Sequence, residues 1–376
     1  MSFYTTPLQF GYFFGCLFAI LLWVRGNREE RLSDTMLGWV LFLLVLEIQD
    51  YTFGFSGINF LWEELNGFPR SLSFLFGPTI YFYLKSQINR QFSFRMADLL
   101  HLIPWMVYFL FHSAIFLQGS DFVKEWQSSV AGRVTDVIET LAILGVYAVY
   151  FAKSLSMYRQ YRQWTETQFS DTDAVSLIWY RNFLYLMIFI ILFKWLWFFI
   201  DVVLTLDFYQ DWWWNLATVA AIVYVTISGY QQQQTMKMVF NESGAATEPS
   251  RRVIPDLDVA DWKQKLLVVM EQEKPYLEPE LTLADLARKL KIAPPLLSQV
   301  INTAFEKNFN DFINAYRVED FKMRMQRPEV RHLTLLGIAL DCGFNSKATF
   351  NRAFRKHTGQ SPSEYGANSV QREYDE

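Results

Sequence analysis

The chain has 376 residues but only two cysteines and four histidines. Cys16 lies in an apolar run and Cys342 near the opposite end, so the sequence offers neither a disulfide framework nor a thiolate metal site. His101, His112, His332 and His357 show no ligand spacing, and no metal or other cofactor is expected. Catalytic signatures are also missing. There is no phosphate loop and no nucleophile beside a recognisable base, so nothing points to an enzyme. No Lys or Arg precedes the first apolar run and its positive charges follow it, which reads as a retained helix rather than a signal peptide.

Charge is scarce in the front of the chain. Residues 1–230 hold 14 of the 34 Lys and Arg and twelve of the thirteen Trp. A soluble domain of that size could not cover its surface with so few charges. Seven apolar stretches follow one another, at 7–24, 36–55, 71–84, 99–117, 134–152, 182–206 and 212–230. Most match the roughly 20 residues that a helix needs to cross a hydrocarbon core of about 30 Å. The third is the shortest and carries Gly77 and Pro78. A soluble helical core would need polar faces, and 184–199 has almost none.

The loops between these stretches alternate in charge. The first holds Arg25, Arg28 and Arg31, the third Lys85, Arg90 and Arg95, and the fifth Lys153, Arg159, Arg162 and Arg181. The second has only Arg70, the fourth Lys124 and Arg133, and the sixth none. The positive-inside rule then places the N-terminus outside and, after seven crossings, the C-terminus in the cytoplasm. Trp212, Trp213 and Trp214 fall where the seventh helix would meet the outer interface.

Polar residues within the spans are costly and so informative. They are Glu47, His112, Glu139, Lys194 and Asp201, with Lys194 and Asp201 seven residues apart on one helix face. Two readings stay open. The group lines a pocket facing outward, with Lys194 as counter-charge to an acidic ligand, or its members pair and lock the bundle.

Behind the last stretch the composition changes. Residues 231–255, with 241–252 small and polar, read as a flexible linker, and 256–276 as a connecting helix with Trp262, Leu266, Val269 and Met270 on one stripe. An internal repeat follows: LTLADLARKL at 281–290 is echoed 52 residues later by LTLLGIALDC. Thr282 and Thr334 are expected helix N-caps, and Ala287 and Ala339 hold matching small positions. A tight turn and a second helix follow each copy. Pro294 and Pro295 suit a first helical turn, Gly343 supplies a turn with positive φ, and Asn345 or Ser346 caps the helix beyond it. Leu297 with Ile301, and Phe350 with Phe354, are expected buried pairs four residues apart. This is a helix-turn-helix twice over. Between the copies, 310–326 reads as one helix, about 25 Å long at 1.5 Å per residue. That separation suits two recognition helices in successive major grooves.

Residues 281–366 carry 13 Lys and Arg against 8 Asp and Glu, in a chain of net charge −4. Such an excess attracts phosphate. On the second recognition helix Ser346, Lys347, Asn351, Arg352, Arg355 and Lys356 are candidate DNA contacts; on the first, Ser298, Gln299 and Asn302. Arg and Lys suit guanine, and Asn and Gln suit adenine.

Ile338, Ala339, Gly343, Phe344, Ser346, Phe350, Arg352, Phe354, Lys356, Gly359, Ser361, Pro362 and Tyr365 together resemble the AraC/XylS transcription-regulator signature. Leu297, Ser298, Ile301, Asn302, Asn308, Phe309, Phe312, Ile313, Asn314, Tyr316 and Arg317 resemble that family's first unit and linker helix. Gly366 departs from it, because members often carry Arg there. The resemblance implies a monomeric module with two recognition helices attached to a sensing domain. The front half is similar to the multi-span part of membrane-bound members.

The fold expected is all-α: a seven-helix transmembrane bundle (1–230), the linker, the connecting helix, a cytoplasmic tandem helix-turn-helix domain (277–367) and a tail (368–376). The function expected is a one-component transcription regulator in a bacterial inner membrane, controlled by its membrane part. A transporter or membrane enzyme with a regulatory tail, and a passive anchor for a DNA-binding domain, are the alternatives. Expected partners are double-stranded DNA, membrane lipid, RNA polymerase if the protein activates, and a small-molecule or periplasmic ligand; a homodimer is left open.

Overall fold

The computed structural model describes residues 5–57, 64–173, 175–204, 212–232, 259–327 and 333–366. The expected linker at 231–255 and the tail at 368–376 lie almost wholly outside them. Among the described residues there is no strand, and an isolated bridge pairs Phe169 with Thr282. The chain divides into two units: Met1–Arg159 with Leu177–Asn241, and Gln160–Ser176 with Glu242–Glu376.

In the first unit the helices are α1 (Thr5–Arg28), α2 (Leu32–Glu47), α3 (Gln49–Phe55), α4 (Ser73–Ile88), α5 (Ile103–Phe116), α6 (Ser120–Ser128), α7 (Val130–Gln168), α8 (Ile178–Leu204) and α9 (Trp212–Tyr230). The last turns of α7 belong to the second unit. Helix α1 buries Leu8, Gly11, Gly15, Ala19 and Leu22 along one stripe. A β-carbon at Gly15 would lie 2.4 Å from Val45 Cγ2, so small residues let α1 and α2 approach closely. Arg25 ties three helices: it donates to both carboxylate oxygens of Asp34 at 2.7 and 2.9 Å and to the Tyr230 carbonyl at 2.8 Å. The outward faces are apolar, with Phe13, Val107, Leu110 and Leu141 all at least 60% exposed.

Among the described residues each of the seven apolar stretches falls largely on helix, but fewer than seven of those helices have the length and apolarity to cross a membrane. Among the described residues four helices are long and apolar enough to cross a membrane: Thr5–Arg28, Met96–Phe116, Val130–Gln168 and Ile178–Trp197. Helices α2 and α3, bent by 41° at Ile48, make a fifth if they count as one span. Helix α4 has 16 residues, about 24 Å, short of the hydrocarbon thickness. Helix α7 runs 39 residues, far beyond the expected end at residue 152. Arg159 and Arg162, read from sequence as loop residues, therefore sit on its polar extension.

The second unit contains α10 (Val259–Gln272), a 3-10 turn at Pro275–Leu277, α11 (Leu283–Leu290), α12 (Pro294–Phe305), α13 (Phe309–Met325), α14 (Leu335–Asp341) and α15 (Lys347–Thr358). Local chemistry sets the boundaries. The side chains of Thr282, Asn308, Thr334 and Ser346 each accept an early backbone N–H, from Asp285, Asp311, Gly337 and Thr349. Pro294 opens α12. The turn after α11 uses Lys291 at φ 56°, and the equivalent turn after α14 uses Gly343 at φ 91°. Only glycine fits at 343, because a β-carbon there would meet the Tyr276 carbonyl oxygen at 2.4 Å.

Helix α13 is shared by two small cores. Its first half, with Phe309, Phe312 and Ile313, packs with Leu266, Met270, Leu286, Ala287, Leu297 and Ile301. Its second half, with Val318 and Phe321, packs with Ile338, Ala339, Cys342, Phe344, Phe350 and Phe354. Each core closes one helix-turn-helix, which is why the repeat copies keep alanine and a large apolar pair at matching places.

Candidate nucleic-acid interface

The face of α15 follows from its core. With Phe350, Ala353 and Phe354 buried, Lys347, Asn351, Arg352, Arg355 and Lys356 are exposed. Ala348, Asn351, Arg352, Arg355, Lys356 and Ser361 line an open groove of ≈ 640 Å³. Ser346 is half-buried and its hydroxyl caps the helix, so it orders the first turn. Lys356 is held at 2.6 Å by Asp311 of α13. On α12, Leu297, Val300 and Ile301 point inward, Asn302 is exposed, and Ser298 and Gln299 are half-buried.

Arg317 was not singled out from sequence as a site residue, because an arginine on a helix ordinarily reads as surface. It is fully buried at the junction of the two cores. Its guanidinium donates to the carbonyls of Tyr276 (2.7 Å) and Glu278 (2.8 Å) and to Ser170 Oγ (3.1 Å). Burial lowers its pKa to about 10, so it stays charged at neutral pH, with Asp171 as a nearby opposing charge.

Segment 169–173, which follows α7, also escaped sequence reasoning. Ser170 donates its N–H to Leu281 O at 3.1 Å, and its carbonyl accepts from Asn310 Nδ2 at 2.8 Å. Asp171 accepts from Asn345 Nδ2 at 2.9 Å. Asp173 accepts from the Thr349 hydroxyl and, at 2.7 Å, from Arg352 Nη2. Burial would raise the Asp173 carboxyl, but those two bonds and the charges of Arg352 and Arg162 outweigh it and hold it below the usual range. The available signal was a pair of carboxylates, Asp171 and Asp173, inside a loop otherwise counted for its basic residues.

The polar residues of the first unit form two separate pairs. Glu47 accepts from Ser73 Oγ at 2.9 Å and stands 4.0 Å from Lys194 Nζ, which lies over the Trp214 ring. His112 Nε2 is hydrogen-bonded to Glu139. The Asp201 side chain lies outside the described residues. Among the described residues no group of three or more His, Cys, Asp or Glu could hold a metal ion.

Two helix-turn-helix units around a shared helix, the second with an exposed basic face, define a DNA-binding domain. Comparison with known proteins agrees: residues 286–368 match a helix-turn-helix domain family, of the AraC type. The chain is also similar to the HTH-type transcriptional regulator CdhR of Pseudomonas aeruginosa, 25% identical over 101 residues. That match covers 27% of this chain and 29% of the relative. No solved structure matches the chain.

Proposed function

We propose that the protein is a membrane-bound one-component transcription regulator, with the second unit binding specific DNA under control of the first. The observation that carries the reading is the face of α15, where Lys347, Asn351, Arg352 and Arg355 stand exposed on a capped helix. The types are those that read base edges and phosphates. The membrane side rests on the four long apolar helices and their outward apolar faces, which suit lipid better than water. The N-out orientation rests on the charge alternation of the loops, and Arg159 and Arg162 keep their weight there because basic residues near a span's end count equally. Control by the membrane part is supported by the Glu47–Lys194 and His112–Glu139 pairs, ionisable groups set within apolar helices, of the kind that mark working sites in membranes.

A salt titration tests the reading. The full chain in lipid nanodiscs should bind duplex DNA with log affinity falling linearly against log salt. No binding, or binding indifferent to salt, would contradict it.

A further inference from the structure

We propose that segment 170–173 is an internal, DNA-competitive ligand of the second helix-turn-helix, with Asp173 standing where a DNA phosphate would. The proposal rests on the DNA-binding reading of α15 given above.

Three observations carry it. First, one of the contacts, Arg352, is on the exposed DNA face itself, and the other, Thr349, is a buried neighbour at the same end of the helix. Asp173 is gripped by Thr349 and Arg352, three residues apart and so on one side of the first turns of α15. Ser346, whose hydroxyl caps this helix, lies 3.0 Å from the Thr349 hydroxyl, so the carboxylate sits at the helix's N-terminal end. Threonine hydroxyl, arginine and helix N-terminus are the groups that hold phosphates in protein–DNA complexes. A carboxylate accepting from that hydroxyl and that guanidinium, beside the helix N-terminus, occupies phosphate chemistry without DNA.

Second, the segment is seated over several residues rather than touching by one side chain. Asp171 takes Asn345, the residue before the cap. Ser170 is bonded through its N–H, its carbonyl and its hydroxyl, to Leu281, to Asn310 and to Arg317. Ser170, Asp171 and Thr172 are all buried. One anchor thus spans both repeats, since Leu281 precedes α11 and Arg352 lies on α15.

Third, the connectivity suits a switch. Residues 169–177 join α7 to α8, two of the helices long and apolar enough to cross a membrane. A stimulus that shifts the ends of those helices changes the reach of this short loop. Withdrawal of Asp173 then frees the Thr349 hydroxyl and the Arg352 guanidinium to hold phosphate. The bound loop and bound DNA exclude each other, so each weakens the other by the same factor.

The experiment compares the full chain in nanodiscs with its Asp171→Asn/Asp173→Asn variant, using a fluorescein-labelled mixed-sequence duplex of about 40 bp, long enough for two successive major-groove contacts. The variant should bind about tenfold tighter at equal salt, the size expected from weakening one partly exposed ion pair and one hydrogen bond to a carboxylate. In parallel, amide hydrogen exchange of residues 168–176 in the wild-type chain should speed up when saturating DNA is added; this readout needs no substitution. Equal or weaker binding by the variant, or exchange that DNA leaves unchanged, overturns the proposal while the DNA reading stands. Failure of both proteins to bind the duplex overturns the DNA reading itself, and with it the proposal.

Discussion

Arg317 Nε donates to the carbonyl oxygen of Tyr276 at 2.7 Å, and Gly343 is the residue whose missing β-carbon leaves that oxygen room. One carbonyl thus joins the linker helix to the turn of the second helix-turn-helix. Arg317→Ala would leave the buried Tyr276 carbonyl without its donor and take one of two donors from the Glu278 carbonyl. The expected cost is about 2–4 kcal/mol. Urea-dependent hydrogen exchange of the α13 and α14 amides in the full chain measures it. Arg317→Lys should recover only part, because an ammonium cannot reproduce the planar fork. A neutral Arg317→Ala would contradict the hub.

Gly343 and Gly359 offer a matched pair. Both have positive φ, 91° and 76°, but only at Gly343 does a β-carbon collide with backbone; at Gly359 nothing lies within 4 Å. Gly359→Ala should cost about 1 kcal/mol, the backbone strain alone. Gly343→Ala should cost about 2–4 kcal/mol, strain and displacement together. Equal effects on the same exchange measurement would show that space at Tyr276 is not limiting.

Much of this was legible in the sequence, because it is local. Thr282 and Thr334 announce their caps by position, and Phe350 and Phe354 announce their face by a spacing of four. The apolar stretches announce helices by hydropathy. What was not legible depends on distance along the chain or on a continuing helix without apolar pattern. Asp173 and Arg352 lie 179 residues apart, so no periodicity links them. The polar end of α7 carries no hydropathy signal, so it read as loop. Buried Arg317 reads as surface until the carbonyls and the hydroxyl that accept from it are known.

Docking of segment 170–173 should depend on pH. The Asp173 carboxyl is held below its ordinary value, so its contribution is fully present above the free-chain value and is lost as pH falls through the docked one. Acidification should therefore speed exchange at residues 169–176. The same scan on Asp173→Asn should be flatter. Exchange that slows on acidification, after correction for the intrinsic rate, would contradict the sign.

In the first unit, Lys194→Ala leaves Glu47 beside Ser73 without its cation. If the pair locks the bundle, Glu47→Gln in the same chain should restore part of the lost thermal stability. If Lys194 instead serves a ligand, the single variant should keep its stability and lose its transcriptional response. A Lys194→Ala protein unchanged in both would remove this pair from the account.

The central claim is that α15 reads DNA, and a gel-shift titration at one fixed salt concentration tests it most directly. Duplexes selected on the full chain would be titrated with wild type, Lys347→Ala and Arg355→Ala. Lys347→Ala should lose about 1–3 kcal/mol of affinity and relax sequence preference if it contacts a base, while Arg355→Ala should weaken all sequences alike if it contacts phosphate. Wild-type binding by both variants would contradict the placement of this helix on DNA.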